Sequence, residues 1–167
     1  MPTQAARPEP PPIGSRAEYQ AALRWGFTQA IAGGARQIVA VDRDFAEWPF
    51  DAPDLHAELA AWLRLPDRRL VLLATSYDEV VRRHPRFVAW RALWSHAIRA
   101  GSPPASDAVE LPGLLVDDRD LSVHLIEPAH WRGRAALDAR TAQAWRDRID
   151  ALLQRSETAF AVNQLGL

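Results

Sequence analysis

The sequence contains no cysteine and no lysine, and each absence excludes a kind of chemistry. Without cysteine there are no disulfides, no thiolate nucleophile and no zinc site that depends on sulfur ligands. Without lysine there is no Schiff-base or P-loop lysine, and all 20 basic residues are arginine. No apolar run approaches the ~20 residues that cross a membrane, and residues 1–14 lack a signal-peptide pattern. A cytoplasmic protein is therefore expected.

Length and charge set further bounds. A chain of 167 residues fits one domain and is long enough to bury a core. The net charge of -1 gives no global field that attracts nucleic acid or an anionic membrane, so neither is expected as a partner. Five of the first 14 residues are proline, which predicts a disordered tail over 1–14 and a single α/β domain over 15–167.

Two short apolar runs predict the centre of the fold. Residues 68–74 and 37–41 are bounded by polar residues, which is typical of strands buried on both faces. They lie about 30 residues apart, enough for a helical crossover between parallel neighbours. We therefore expect a mixed, mainly parallel sheet flanked by helices.

The remaining elements follow from caps, periodicity and turns. Ser15 and Glu18 form a capping box before a helix that Gly33 and Gly34 end. Further helices are predicted to begin near residues 53, 77, 85 and 138. A weak third strand is predicted over 96–100 and a hairpin from 113–116 and 121–126, followed by a loop over 127–137.

Arginines and histidines are the candidate binding residues. The densest basic stretch comprises Arg82, Arg83, Arg86, Arg91 and Arg99. Bidentate guanidinium groups suit phosphate or carboxylate, and Arg82, Arg83 and Arg99 are the candidate ligand-binding members. The alternative is a solvated helix face on which the arginines pair with nearby carboxylates.

The five histidines show no metal-ligand spacing, so neither a metal site nor a cofactor is expected. No Gly-x-Ser-x-Gly nucleophile turn occurs either. His96 and His124 are candidate ligand-binding residues, and together with His130 they are the side chains that a hydrolase would use.

The second half of the chain resembles a known fold family. The segments Pro112-Gly-Leu-Leu-Val-Asp-Asp118, Trp131-Arg-Gly-Arg134, a long helix and Leu165-Gly-Leu167 resemble the region around the His-x-Lys-x4-Asp motif of the phospholipase D-like superfamily. From Arg36 to the C-terminus the element order resembles one half of that fold. The chain also resembles uncharacterised proteobacterial domains of this type, sometimes attached to acetyltransferases.

The resemblance does not extend to the catalytic motif. If Asp117 is the motif aspartate, Glu110 stands at the histidine position and Pro112 at the lysine position, so no catalytic residue carries over. Asp117 is a candidate ligand-binding residue, with a turn residue as the alternative. Because superfamily members often pair two halves, the resemblance implies a homodimer.

Three functions remain open from the sequence. The first is a non-catalytic binding or interaction module with a degenerate phospholipase D-like fold, acting on a protein partner or as a homodimer. The second is a phosphodiesterase-type hydrolase with a rearranged histidine site. The third is a phosphate- or nucleotide-sensing module. A histidine and an arginine pair that converge in one cleft would favour the hydrolase.

Overall fold

The computed structural model describes residues 8–106 and 110–161, which form one eight-stranded sheet with five α-helices. The strands are β1 (Pro12–Ile13), β2 (Gln37–Asp42), β3 (Arg69–Ala74), β4 (Ile98–Ser102), β5 (Gly113–Asp117), β6 (Leu121–Glu127), β7 (Arg132–Leu137) and β8 (Glu157–Thr158). The helices are α1 (Arg16–Ala32), α2 (Pro53–Leu63), α3 (Asp78–Arg83), α4 (Pro85–Ala92) and α5 (Ala139–Arg155). The spatial order of the strands is β1-β7-β6-β5-β2-β3-β4-β8.

The sheet is mixed and mostly antiparallel, so the expectation of a mainly parallel sheet is wrong. Only β2–β3 and β3–β4 are parallel among the described pairings. Strand β5 lies antiparallel to β2, and β6 and β7 extend the sheet by antiparallel pairing. Short turns suffice for antiparallel neighbours, whereas each parallel pairing needs a crossover. Short connections join β5 to β6 and β6 to β7, and they explain the antiparallel pairing of these strands.

Helices cover both faces of the central strands. On one face, alternate residues of β2 and β3 such as Ile38, Leu70 and Leu72 pack into a core with α1, α2 and α4. On the other face, Val39, Val71 and their neighbours pack against α5. The strands therefore bury both faces, which explains why their sequences read as continuous apolar runs.

Several predicted elements lie where expected, and others differ. The Ser15 hydroxyl accepts from the Glu18 N–H at 3.1 Å, which confirms the predicted cap. The predicted loop over 127–137 contains β7, whose residues pair with β6 through a bulge. Pro12–Ile13, at the end of the proline-rich segment, forms β1 against the outer side of β7. The tail over 162–167 lies outside the described residues.

The apolar residues Phe87, Trp90, Leu93 and Trp94 predict the inner face of helix α4, and all except Leu93 are buried or pack against the core. Leu93, just after the helix, is 76% exposed, whereas Phe87 and Arg91 are buried. Phe87 and Arg91 are four residues apart and so share one helix face. An arginine therefore occupies a core-facing position.

No helix in the described ranges is both long enough and apolar enough to cross a membrane.

The central position of β3 predicts a large cost for removing its apolar side chains. Leu72 is fully buried, and Leu72→Ala should lower the free energy of unfolding by ~2–5 kcal/mol because it leaves a cavity. Urea denaturation measures the change. Leu65→Ala is the matched control: Leu65 is half exposed, and the expected loss is under about 0.5 kcal/mol. Equal, small losses in both variants would contradict the assignment of β3 to the core.

Candidate anion-binding groove

A groove of about 410 Å³ runs along the amino ends of β3 and β4 and is bordered by the segment after β8. We call it the amino-edge groove. Its polar and charged lining residues are Arg69, Arg91, Ser95, His96, Arg99 and Thr158, and none of its described lining residues is acidic. Positive charge without acidic neighbours makes this groove the leading candidate for binding an anion.

The register of the parallel strands brings two of these arginines together. Arg69 begins β3, and Arg99 is the second residue of β4, which pairs in register with Val71. Residues two apart in a strand point to the same face, so Arg69 and Arg99 share the α5 side of the sheet. Both are exposed. No ion pair joins either of them to a carboxylate within the described part of the chain.

Arg91 is the unusual residue of the groove. It is only 5% exposed, and its Nε has no hydrogen-bond partner. Its Nη2 donates to the Phe160 carbonyl, and its guanidinium carbon lies 3.9 Å from the centre of the Phe160 ring. Burial lowers the pKa of Arg91. A buried guanidinium that lacks a carboxylate partner among the described residues is costly unless an anion compensates it.

The segment after β8 holds Arg91 in place. The Phe160 ring stacks on Tyr77 with ring centres 4.9 Å apart and an interplanar angle of 9°. The Tyr77 hydroxyl donates to the Gly101 carbonyl at 2.7 Å, and the Ala159 N–H donates to the Ala100 carbonyl at 3.0 Å. These contacts fasten Phe160 to β4, so the wall of the groove that carries Phe160 is attached to the sheet.

The six sequence-predicted ligand residues lie in four places. His96 and Arg99 share the amino-edge groove. Arg82 and Arg83 lie on α3, where both pair with Glu79 at 2.7 Å and Arg83 also pairs with Glu47 at 3.2 Å. These ion pairs match the alternative interpretation of a solvated helix face, and they leave the two arginines less available to a ligand.

Asp117 and His124 lie in two further places. The Asp117 carboxylate accepts from the N–H groups of Arg119 and Leu121 at 2.9 and 3.0 Å and so closes the β5–β6 turn. Burial raises the pKa of Asp117. His124 lies on β6 with its ring centre 4.5 Å from that of Trp145 on α5. Burial and the nearby Arg148 lower the pKa of His124.

Sequence reasoning missed Arg69 and passed over Arg91. Arg69 is a polar residue flanking an apolar run, which ordinarily marks only a strand end. Arg91 belongs to the basic stretch noted above, and its place four residues after Phe87 was the available signal for burial. That signal was hidden because Trp90, Leu93 and Trp94 offered a more apolar face.

A second polar cluster lies at the opposite, carboxyl edge of β2. Oδ2 of Asp42 accepts from the N–H groups of Asp44 and Phe45 at 3.1 and 2.8 Å. A Cβ at Gly113 would lie 2.8 Å from the Tyr19 hydroxyl and 3.3 Å from Oδ1 of Asp42, so only glycine fits there. Burial raises the pKa of Asp42, and burial together with Asp42 raises that of Tyr19.

Within residues 8–106 and 110–161, no group of three or more His, Asp or Glu side chains is arranged to hold a metal ion.

Comparison with known proteins gives one informative likeness. No protein-family model matches the chain, and no curated protein sequence matches it. Among solved structures, one that matches is that of TrmBL2, described as an archaeal chromatin protein with a novel mode of DNA binding. The TM-score is 0.58 and the identity 10%, over 95% of this chain and 57% of that protein. The chain thus spans little more than half of TrmBL2, and the likeness shows the fold alone.

These findings bear on three expectations from the sequence. The phospholipase D-like resemblance is wrong, because no family model matches the chain and a solved structure that does match is that of TrmBL2. The expected homodimer rested on that resemblance and therefore loses its support. The expectation that excluded nucleic acid as a partner is also corrected, because a protein with this fold is described as binding DNA. A near-neutral net charge does not describe the local charge of an arginine-lined groove.

The raised pKa of Asp42 predicts how stability changes with pH. The folded protein binds this proton more tightly than the unfolded chain, so Asp42 costs the folded state stability as pH rises above about 4, the ordinary pKa. Asp42→Asn removes that titration. The stability of the unmodified protein relative to Asp42→Asn should therefore fall as pH rises through this window, as measured by urea denaturation.

Asp138→Asn is the matched control. Hydrogen bonds from Thr141 lower the pKa of Asp138, so the stability relative to this variant should rise with pH in the acid range. If the difference in unfolding free energy between the Asp42→Asn and unmodified proteins is the same at every pH, the pKa of Asp42 is not raised in the folded protein.

Proposed function

We propose that this chain is a non-catalytic α/β binding domain that holds a phosphate group in the amino-edge groove. The observation that carries the proposal is Arg91, a buried guanidinium with no described carboxylate partner at the wall of a groove that Arg69 and Arg99 also line. A bound anion would supply the missing counter-charge. Phosphate suits such a site because its several oxygens accept from more than one guanidinium.

The groove contains one described histidine and no described carboxylate. His96 is that histidine, and no carboxylate lines the groove to orient its ring or to exchange a proton with it. A catalytic base is commonly oriented by such a third group, and it must itself lie within hydrogen-bond reach of the proton that it abstracts. The arrangement therefore supports binding better than turnover.

A phosphate group can belong to a free nucleotide or to a nucleic-acid backbone. The likeness to TrmBL2, described as binding DNA, supports DNA as a source for this chain. This chain corresponds to only 57% of that protein, so the part of TrmBL2 that contacts DNA is not identified by the match. Titrations with inorganic phosphate, AMP and a DNA duplex distinguish the sources.

The decisive change is Arg69→Gln together with Arg99→Gln. Charge-assisted hydrogen bonds are worth about 1.5–3 kcal/mol each, so calorimetric titration with AMP should show at least about tenfold weaker binding. Both side chains are exposed, so folding should be retained. Circular dichroism checks the fold.

The matched control is Arg16→Gln together with Arg82→Gln. It removes the same charge from two exposed arginines that pair with Glu47 and Glu79, near the carboxyl edge of the sheet. Its affinity should equal that of the unmodified protein. Equal weakening in both double variants, or no binding of phosphate, AMP or DNA by the unmodified protein, would contradict the proposal.

A second candidate is a phosphodiesterase-type hydrolase, because His96 does share one groove with an arginine pair. In that case purified protein would hydrolyse bis-p-nitrophenyl phosphate, and His96→Ala would abolish turnover while His124→Ala would not. The binding proposal predicts no turnover above background in all three proteins. Hydrolysis that depends on His96 would make the hydrolase the better account.

A further inference from the structure

A second groove continues the positive surface beyond Arg69. It encloses about 330 Å³ and is lined by Arg36, Gln37, Asp67, Arg68, Arg69 and Asp118. Arg69 lines both grooves, so they adjoin at the amino end of β3. Together they cross the amino ends of β2, β3 and β4. Neighbouring strands lie about 4.8 Å apart, so this surface extends for roughly 10–15 Å.

The arginines of the second groove are held at this edge by backbone contacts. Asp118 accepts from the N–H groups of Arg36 and Gln37 at 3.0 and 3.4 Å. The Arg69 N–H donates to the Arg36 carbonyl at 2.9 Å. These bonds fix the two chain segments side by side. The Arg36 side chain is exposed and forms no ion pair with any described residue.

Arg68 adds an unsatisfied donor to the second groove. Its Nη1 donates to the Pro66 carbonyl at 2.9 Å, but its Nε is buried and has no hydrogen-bond partner. The groove also contains Asp67 and Asp118, so three arginines face two aspartates. Part of the Asp118 charge is engaged by the two backbone N–H groups that it accepts. Positive charge therefore dominates, although less than in the amino-edge groove.

We propose that the two grooves form one track for the phosphate backbone of duplex DNA, with Arg36 and Arg68 binding phosphates next to the one held in the amino-edge groove. The inference rests on the proposed function, since it takes the phosphate of that site to be one of a series. A free mononucleotide carries its phosphates at one point and needs only the amino-edge groove. A polyanion uses both grooves, because its charges are spaced along a chain.

The test uses the full chain and two ligands. Fluorescence anisotropy follows binding of a short labelled DNA duplex at several NaCl concentrations, and calorimetry follows AMP. Arg36→Gln with Arg68→Gln should reduce the slope of log K against log salt by about 2, one unit for each lost phosphate contact. AMP affinity should stay within about twofold. Arg16→Gln with Arg82→Gln, which removes the same charge elsewhere, should change neither.

Several outcomes would overturn the track. An unchanged DNA salt slope in Arg36→Gln/Arg68→Gln would sink it, and so would AMP binding without any binding of duplex DNA. Tighter binding of single-stranded RNA than of duplex DNA would refute the choice of partner. Failure of the unmodified protein to bind AMP would instead count against the amino-edge groove, so the two proposals fail separately.

Discussion

The parallel pairing of β2 with β3 is the constraint on which the rest of the structure depends. Both strands are covered on both faces, so each needs helices above and below it. The crossover between them supplies α2, the segment before β2 supplies α1, and α5 returns from the far end of the chain to close the second face. Each parallel connection also places the amino ends of neighbouring strands along one edge of the sheet. The arginines of both grooves lie at that edge.

Arg91 belongs both to a helix that covers the sheet and to the amino-edge groove. Helix α4 has to pack its inner face against the sheet to connect β3 with β4, and Arg91 lies on that face beside Phe87. The residues after β8 then cover the guanidinium with Phe160, which is stacked on Tyr77. An apolar residue of similar size could fill this position at less cost, because a buried charge without a counter-charge is unfavourable. Retaining an arginine there is explained if the folded domain binds an anion.

Sequence patterns predict the local elements well and the sheet topology poorly. The runs that became β2 and β3, the Ser15 cap and the burial of Leu70, Leu72 and Val39 follow from periodicity and local hydrogen bonding. The direction of β5 relative to β2 does not follow from local patterns, because it depends on pairing between strands that are far apart in the sequence. The sequence of β7 resembles a loop because its first half is Arg132-Gly-Arg134, which has no apolar side chain and contains a glycine.

The groove shows the same division between local and long-range information. His96 and Arg99 are three residues apart, and each is a candidate ligand residue from the sequence. Arg69 joins them only through the register of β3 with β4, and Phe160 joins them from the other end of the chain. Arg82 and Arg83 illustrate the reverse case. Their density in sequence indicated a ligand site, yet the carboxylates of Glu79 and Glu47 satisfy them.

The central claim is that a bound oxyanion neutralises the charge of the buried Arg91 guanidinium. The most direct measurement is an anomalous difference map from crystals soaked in tungstate, a heavy analogue of phosphate. The account predicts a peak in the amino-edge groove within hydrogen-bond distance of Arg91. Tungstate bound elsewhere on the molecule, with no peak beside Arg91, would contradict it.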